Sequence, residues 1–291
     1  MKKLLVLAMS LLVAIFCIGC GSSETAATSP PTKQAVVTVL DVGQADAILI
    51  QAEGKTVLID AGLAKNSKEL VAKLQQRAVG QIDLLIMTHP HADHIGGVPA
   101  ILANFPVKAV YDSANPETTS KLYQNILRQI DKKKIAFHVL RAPGKIPLGE
   151  QVALEVLWPP QTLLQGTDSD LNANSIVLRL VYGDFAMLLT GDARKESEAG
   201  ILAQHSREQV RAQVLKVGHH TSNTSTSKAW LATVAPEVAI ASYGADNDYH
   251  FPNKHTLKRL EQAKVKFYNT ADQGDVTVTS DGHTYTVRTA K

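Results

Sequence analysis

The sequence has almost no cysteine. Only Cys17 and Cys20 occur among its 291 residues, so past position 20 no thiol is available for a disulfide framework or as a thiolate metal ligand. Charge of one sign is equally scarce: 30 Lys and Arg face 27 Asp and Glu, and loss of Lys2 and Lys3 with a leader brings the formal charge from +3 to +1. So even a balance gives no reason to expect nucleic-acid binding through bulk charge. Internal repeats of short period are absent too. What remains is a chain of ordinary apolar content, 45%, long enough for one large domain or two small ones.

The N-terminus stands apart. Met1-Lys2-Lys3 followed by the apolar run Leu4 to Phe16 has the charged and apolar regions of an export signal. The segment ends Cys17-Ile18-Gly19-Cys20, and a small residue before cysteine resembles a bacterial lipoprotein box, in which Cys20 carries the lipid and becomes the mature N-terminus. The alternative is an uncleaved anchor, for which the run is short. Either reading puts the body outside the cytoplasm, held at a membrane. Residues 1–20 are expected to be a lipoprotein signal peptide, 21–35 a flexible tether rich in Ser, Thr, Ala and Pro, and 36–291 the folded domain.

In the body, runs of strand character finish on polar turns. Val36 to Leu40, Ala47 to Ile50 and Thr56 to Ile59 read as strands, the last ending at Asp60-Ala61-Gly62. Helices are expected over Lys68 to Arg77 behind Ser67, near Val98 to Ala103, and over Thr118 to Lys133 with Leu122, Ile126, Leu127 and Ile130 on one side. From Ala136 the pattern is strand-rich, with Phe185 to Leu189 leading to Gly191-Asp192. It then alternates again, strand Val214 to Val217 leading to Gly218-His219-His220. Two similar halves of this kind imply an α/β protein in which two sheets are sandwiched between helices.

Between the Ile82 to Met87 strand and Gly96-Gly97 lies Thr88-His89-Pro90-His91-Ala92-Asp93-His94, with three imidazoles and a carboxylate in six residues. A divalent transition metal takes such donors as ligands. With Asp60, Asp192, His219 and His220 there are eight candidate donors at strand ends, enough for two ions if these ends share one edge. A paired site of that type activates water for hydrolysis without a serine or cysteine nucleophile.

The stretches Asp41 to Ala47, Leu58 to Gly62, His89 to His94, Asn172 to Ser175, Leu189 to Asp192, Lys216 to His220 and Tyr249 to Pro252 together resemble the metallo-β-lactamase superfamily. Within it they are similar to the extracellular hydrolase domains of the ComEC type, over about residues 36 to 290. The resemblance implies a four-layer αββα sandwich. It implies that His89 and His91 ligate one metal, that Asp93 and His94 ligate the other, and that Asp192 bridges. His220 is favoured over His219 to complete the second site, leaving His219 for substrate. Asp60 is expected to position the histidine loop by hydrogen bonds. Asn174 stands near the family's third-motif histidine, which leaves the His89–His91 position a ligand short, or completed by water. Asp93, His219 and Asn174 are therefore the candidates for catalysis.

The ion is expected to be divalent, one or two per chain, with Zn first and Mn or Fe as alternatives. The leading functional reading is phosphodiester hydrolysis on nucleic acid or a phosphate-bearing polymer. Amide or lactone hydrolysis and non-catalytic binding are the competing readings. Ser222, Asn223, Thr224, Tyr243, Asn247 and Tyr249 are weaker candidates for substrate contact, while His138, His205, His255 and His283 read as surface residues.

Overall fold

Residues 33–116 and 119–291 are described by a computed structural model. The leader, Cys20 and most of the tether lie outside the described residues. Strands β1 (Ala35–Val39), β2 (Ile48–Ala52), β3 (Lys55–Ile59), β4 (Ile82–Met87), β5 (Val107–Asp112) and β6 (Ala136–Val139) form one sheet. The chain then builds a second from β7 (Gly144–Pro147), β8 (Val152–Trp158), β9 (Val177–Tyr182), β10 (Phe185–Leu189), β11 (Val214–Lys216), β12 (Val238–Ala241) and β13 (Lys266–Asn269). It returns to the first with β14 (Val276–Ser280) and β15 (Tyr285–Thr289). The sheets run β15-β14-β1-β2-β3-β4-β5-β6 and β13-β12-β11-β10-β9-β8-β7.

Period-two alternation explains why these strands form layers. Ile48 and Ile50 of β2 enter the core between the sheets while Leu49 faces the outer helices; Val57, Ile59 and Leu58 of β3 divide the same way. In the second sheet Met187 and Leu189 face inward and Leu188 outward. The helices Ser67–Gln76, Val98–Asn104 and Lys121–Lys132 cover the first sheet through Leu70, Leu74, Ile101 and Ile126. On the other side Lys195–Gln204, Lys228–Val234 and Lys254–Gln262 contribute Ile201, Trp230, Val234 and Leu260. Each buried aliphatic side chain stabilises the sandwich by about 1.5–3 kcal/mol. The architecture is the expected αββα sandwich.

Small differences have local causes. The helix expected over Thr118 to Lys133 is described over Lys121–Lys132, because the Ser120 hydroxyl accepts from the Tyr123 amide and so caps it. Strand β7 has no counterpart among the expected elements: Gly144, Lys145 and Pro147 show no alternation, and a proline-bearing strand fits only at a sheet edge, where β7 lies.

Strands β3 and β4 run parallel, as do β10, β11 and β12. Their carboxyl ends therefore point one way, and the turns that follow them, at Asp60, Thr88, Asp192, His219 and Ser242, meet at one edge of the sandwich.

Candidate metal centre

The histidine loop is seated by backbone contact. Gly97 N donates to Gly62 O at 2.9 Å and Ala61 N to His94 O at 2.7 Å. A Cβ on Gly97 would lie 2.1 Å from Ala61 O, so only glycine permits this approach. Asp60, held at φ 58°, turns its carboxylate under the loop. It accepts from the Thr88 amide at 2.8 Å, the Thr88 hydroxyl at 2.7 Å and His94 Nδ1 at 2.7 Å. Burial pushes Asp60 up, against the pull of His94 and Thr88 downward.

Four imidazoles share one design. His89 Nδ1 meets Thr88 Oγ1 at 3.1 Å and His94 Nδ1 meets Asp60. His219 Nδ1 meets Thr224 Oγ1 at 3.0 Å and His220 Nδ1 donates to Ser242 O at 2.8 Å. With its rear nitrogen engaged, each ring presents Nε2 to Asp192. Nε2 of His94 and of His220 stand 3.2 and 3.4 Å from Asp192 Oδ1, while those of His89 and His219 stand 3.7 and 3.6 Å from Oδ2. Asp192 thus turns one oxygen toward each of two groups. Asp93 Oδ2 joins the first, 3.4 Å from His220 Nε2, and His91 Nδ1 joins the second, 3.0 Å from His89 Nε2.

The donor chemistry fits a cation. Nε2 of His94 and His220 face each other at 3.3 Å, each on a ring whose other nitrogen is already bonded. Buried Asp192 Oδ1 beside them has no hydrogen-bond partner of proper geometry. Lone pairs and a carboxylate oxygen converging at such distances repel unless positive charge sits among them. Asp93, His94, Asp192 and His220 offer one ligand atom each within 4.8 Å of one another. The proton affinities agree. Burial lowers His94 and His220, but Asp192 and other carboxylates outweigh it and raise both. Burial raises Asp192, and His94 and His220 outweigh it and hold the group well below the carboxylate range. His89, His91 and His219 are pushed down, chiefly by burial, and so are ready as neutral donors.

The backbone after β11 is strained to bring this about. His219, His220 and Thr221 have φ of 45°, 49° and 77° in succession. Each such residue costs on the order of 1–3 kcal/mol, and such conformations cluster where a site over-determines them.

The observation that decides the family is a match to the metallo-beta-lactamase superfamily over residues 40–245. This chain belongs to that superfamily. It is 30% identical over 241 residues to competence protein ComA of Neisseria gonorrhoeae, covering 82% of this chain and 31% of the relative. To recombination protein 2 of Haemophilus influenzae it is 33% identical over 255 residues, 86% of this chain and 29% of the relative. ComE operon protein 3 of Bacillus subtilis is 27% identical over 258 residues, 82% of this chain and 32% of that protein. The chain therefore spans about a third of the length of these relatives. Among solved structures, the metallo hydrolase Igni18 of Ignicoccus hospitalis superposes with a TM-score of 0.53 at 14% identity, over 83% of this chain and 98% of that one. The diiron β-hydroxylase CmlA of Streptomyces venezuelae gives 0.57 at 13% identity, over 85% of this chain and 54% of its own. These share the fold. This metallo-β-lactamase-fold protein carries a His/Asp cluster fitted to hold a metal ion.

Asn174 is the correction. Its Oδ1 accepts from Leu164 N at 2.9 Å, and its Nδ2 donates to Leu164 O and Asp170 O, so it fastens a loop and does not reach the cavity. Asn172, two residues earlier, takes the place at the site: Nδ2 lies 3.2 Å from His219 Nε2 and the residue lines the cavity. A one-turn helix, Asp170–Ala173, makes the difference, because two positions along it point to opposite sides. Sequence reasoning also gives no role to Phe251, whose ring packs against His219 and His220, or to Gln44 on the opposite wall. Both lie within motif stretches, and that membership is the one signal the sequence carries for them. The stand-alone histidines play no part in the metal cluster: His138 stacks on Tyr111, His205 reaches Leu157 O, and His283 pairs with Asp184 at the surface.

Proposed function

We propose that this protein is a metal-dependent hydrolase that cleaves phosphodiester bonds outside the cytoplasm, from a lipid tether on Cys20, and that its substrate is a single nucleic-acid strand or a short phosphate-bearing chain. The observation that carries the reading is Asp192, whose two oxygens are offered to two donor groups beside an open cavity of about 360 Å³. A mixed imidazole and carboxylate set suits Zn, with Mn or Fe as alternatives. The competence relatives support nucleic acid as the substrate.

When bound, divalent ions supply an activated water and a Lewis-acid hold on a phosphoryl oxygen. His94, Asp93, Asp192 and His220 would hold one, and His89, His91 and Asp192 the other, with His219 beside this second set. Asp93 is partly exposed and, through His220 and His94, stays ionised despite its burial, so it stands at the cavity as a carboxylate donor. Asn172 Nδ2, beside His219 on the cavity wall, is positioned to donate to a phosphate oxygen.

The cavity wall supports a planar group next to the scissile bond. Phe251 stacks on His220, and Tyr249, 67% exposed, stacks on Phe251 with ring centres 5.6 Å apart. Asp246, Asp248 and Lys65 border the adjoining space, so no basic track grips a duplex there, which favours an unpaired base.

The test is an activity screen of the protein reconstituted with Zn²⁺ or Mn²⁺ against single- and double-stranded DNA, bis-phosphodiester dyes, nitrocefin and lactones, beside an Asp93→Ala control. Cleavage of dyes and single strands supports the proposal. Turnover of only nitrocefin or lactones would transfer the reading to amide or ester rings, and no turnover with no bound metal would leave a binding protein.

A further inference from the structure

Lys216, the last residue of β11, is completely buried. Its Nζ lies 3.0 Å from Asp46 Oδ2 and 3.1 Å from Val217 O. Asp46, 1% exposed, belongs to the turn between β1 and β2, 170 positions away. Stability alone rarely explains a buried ion pair, since well-packed neutral residues of similar volume do as well.

The surroundings of this pair suggest another reason. Asp46 Oδ1 takes the Ser242 hydroxyl, and the Ser242 carbonyl takes the N–H of His220 at 2.8 Å. The Asp46 amide donates to the Asp93 carbonyl at 3.2 Å. One residue therefore sits behind both turns, its carboxylate behind that of His220 and its amide behind that of Asp93. It also forms, with Asp60 and His94, a second group of donor atoms within 4.8 Å of one another, wholly buried. His94 thus borders two donor sets, a front one with Asp93, Asp192 and His220 and a rear one with Asp46 and Asp60.

Both oxygens of Asp60 are already taken by Thr88 and His94, so Asp46 is the rear carboxylate that would compete with the front set for a divalent ion near His94. The front set faces the cavity and the rear set does not, so an ion drawn backward would be lost to substrate. We infer that the Lys216 ammonium is a resident cation that denies Asp46 to the metal and so directs the ion to Asp93, His94, Asp192 and His220. Lys216 is a positioning residue: it touches neither the donors of the front set nor the cavity. The inference stands whichever bond the enzyme cleaves.

The test is metal content and affinity, read by elemental analysis and chelator competition, with the Co²⁺ absorption spectrum as a report of ligand geometry. Lys216→Met is expected to bind an extra equivalent of metal or to show a front-site affinity weakened about 10–100-fold, with an altered Co²⁺ spectrum. Asp46→Asn, which leaves the ammonium unpaired behind the site, is expected to weaken binding by a similar factor. The double variant Lys216→Met/Asp46→Asn, with both charges gone, is expected to return to the parent count and to within about threefold of its affinity, and Lys216→Arg to keep the parent count. Parent-like binding in both single variants, or a double variant no better than the worse single, overturns the inference. If Lys216→Met fails to fold, Asp46→Asn decides it through metal affinity and the Co²⁺ spectrum: a loss of stability with parent-like affinity and spectrum marks a merely structural pair and overturns the inference.

Discussion

Thr88 and Asp60 are joined twice, amide to Oδ1 at 2.8 Å and hydroxyl to Oδ2 at 2.7 Å, so the turn after β3 fixes the first residue of the histidine loop after β4. Because Asp60 Oδ2 also takes the His94 N–H at 2.7 Å, one carboxylate sets the loop and the tautomer of a candidate ligand. Asp60→Asn puts an amide N–H against one of these donors. Metal affinity is expected to fall about 10–100-fold with a far-ultraviolet spectrum unchanged, measured by chelator competition.

The division of donors around Asp192 gives each histidine of the pair its own signature. His220→Ala is expected to lose the ion shared with Asp93 and His94. His219→Ala is expected to retain that ion while weakening occupancy on the His89 side. Elemental analysis with titrated Co²⁺ separates the two, and identical loss in both variants would refute the division.

Tyr249→Ala removes the outer ring of the stack on Phe251. Stacking of a base is worth about 1–3 kcal/mol, so KM for a single-stranded oligonucleotide is expected to rise about 5- to 150-fold. For glycerophosphoethanolamine, a phosphodiester with no planar group, kcat/KM is expected to change less than about twofold by the same reasoning.

The two asparagines should separate stability from binding. Asn174→Ala leaves Leu164 and Asp170 backbone groups without partners, and is expected to cost on the order of 1–3 kcal/mol in denaturant unfolding. Metal affinity should hold. Asn172→Ala is expected to do the reverse, lowering turnover with little change in the unfolding midpoint.

Asp112 supplies a pH dependence away from the metal. Burial pushes its carboxyl up to about 6, with Oδ2 unpartnered. In the unfolded chain the group titrates near 3.9. The folded state therefore holds the proton more tightly between these values, and the stability it contributes is present below about 4 and lost as pH rises through about 6. The loss is on the order of 3 kcal/mol, read as the slope of unfolding free energy against pH, and Asp112→Asn is expected to flatten that slope.

Much of this is legible in the sequence for physical reasons. Leu58 and Ile59 alternate because β3 lies between a helix layer and a second sheet, and three histidines with an acid directly after a buried strand make a donor set that packing alone does not require. Asp192 and His220 can be placed because strands ending on charged turns share an edge when they run parallel. What stays hidden depends on distance along the chain or on one turn of helix. Nothing local marks Lys216 as the partner of Asp46, since only the docking of two sheets brings them to 3.0 Å. Asn172 and Asn174 are equivalent as letters, and the short Asp170–Ala173 helix alone decides which one faces the cavity.

The His94–His220 pair has a consequence for how the molecule is assembled. The two rings are 126 residues apart and arrive from different sheets, so neither half of the chain contains a complete set of donors. An ion gripped between them works as a rivet through the sandwich, recognising the closed fold and ignoring its parts. A folding chain would thus lack this complete donor set until its second sheet had closed over the first.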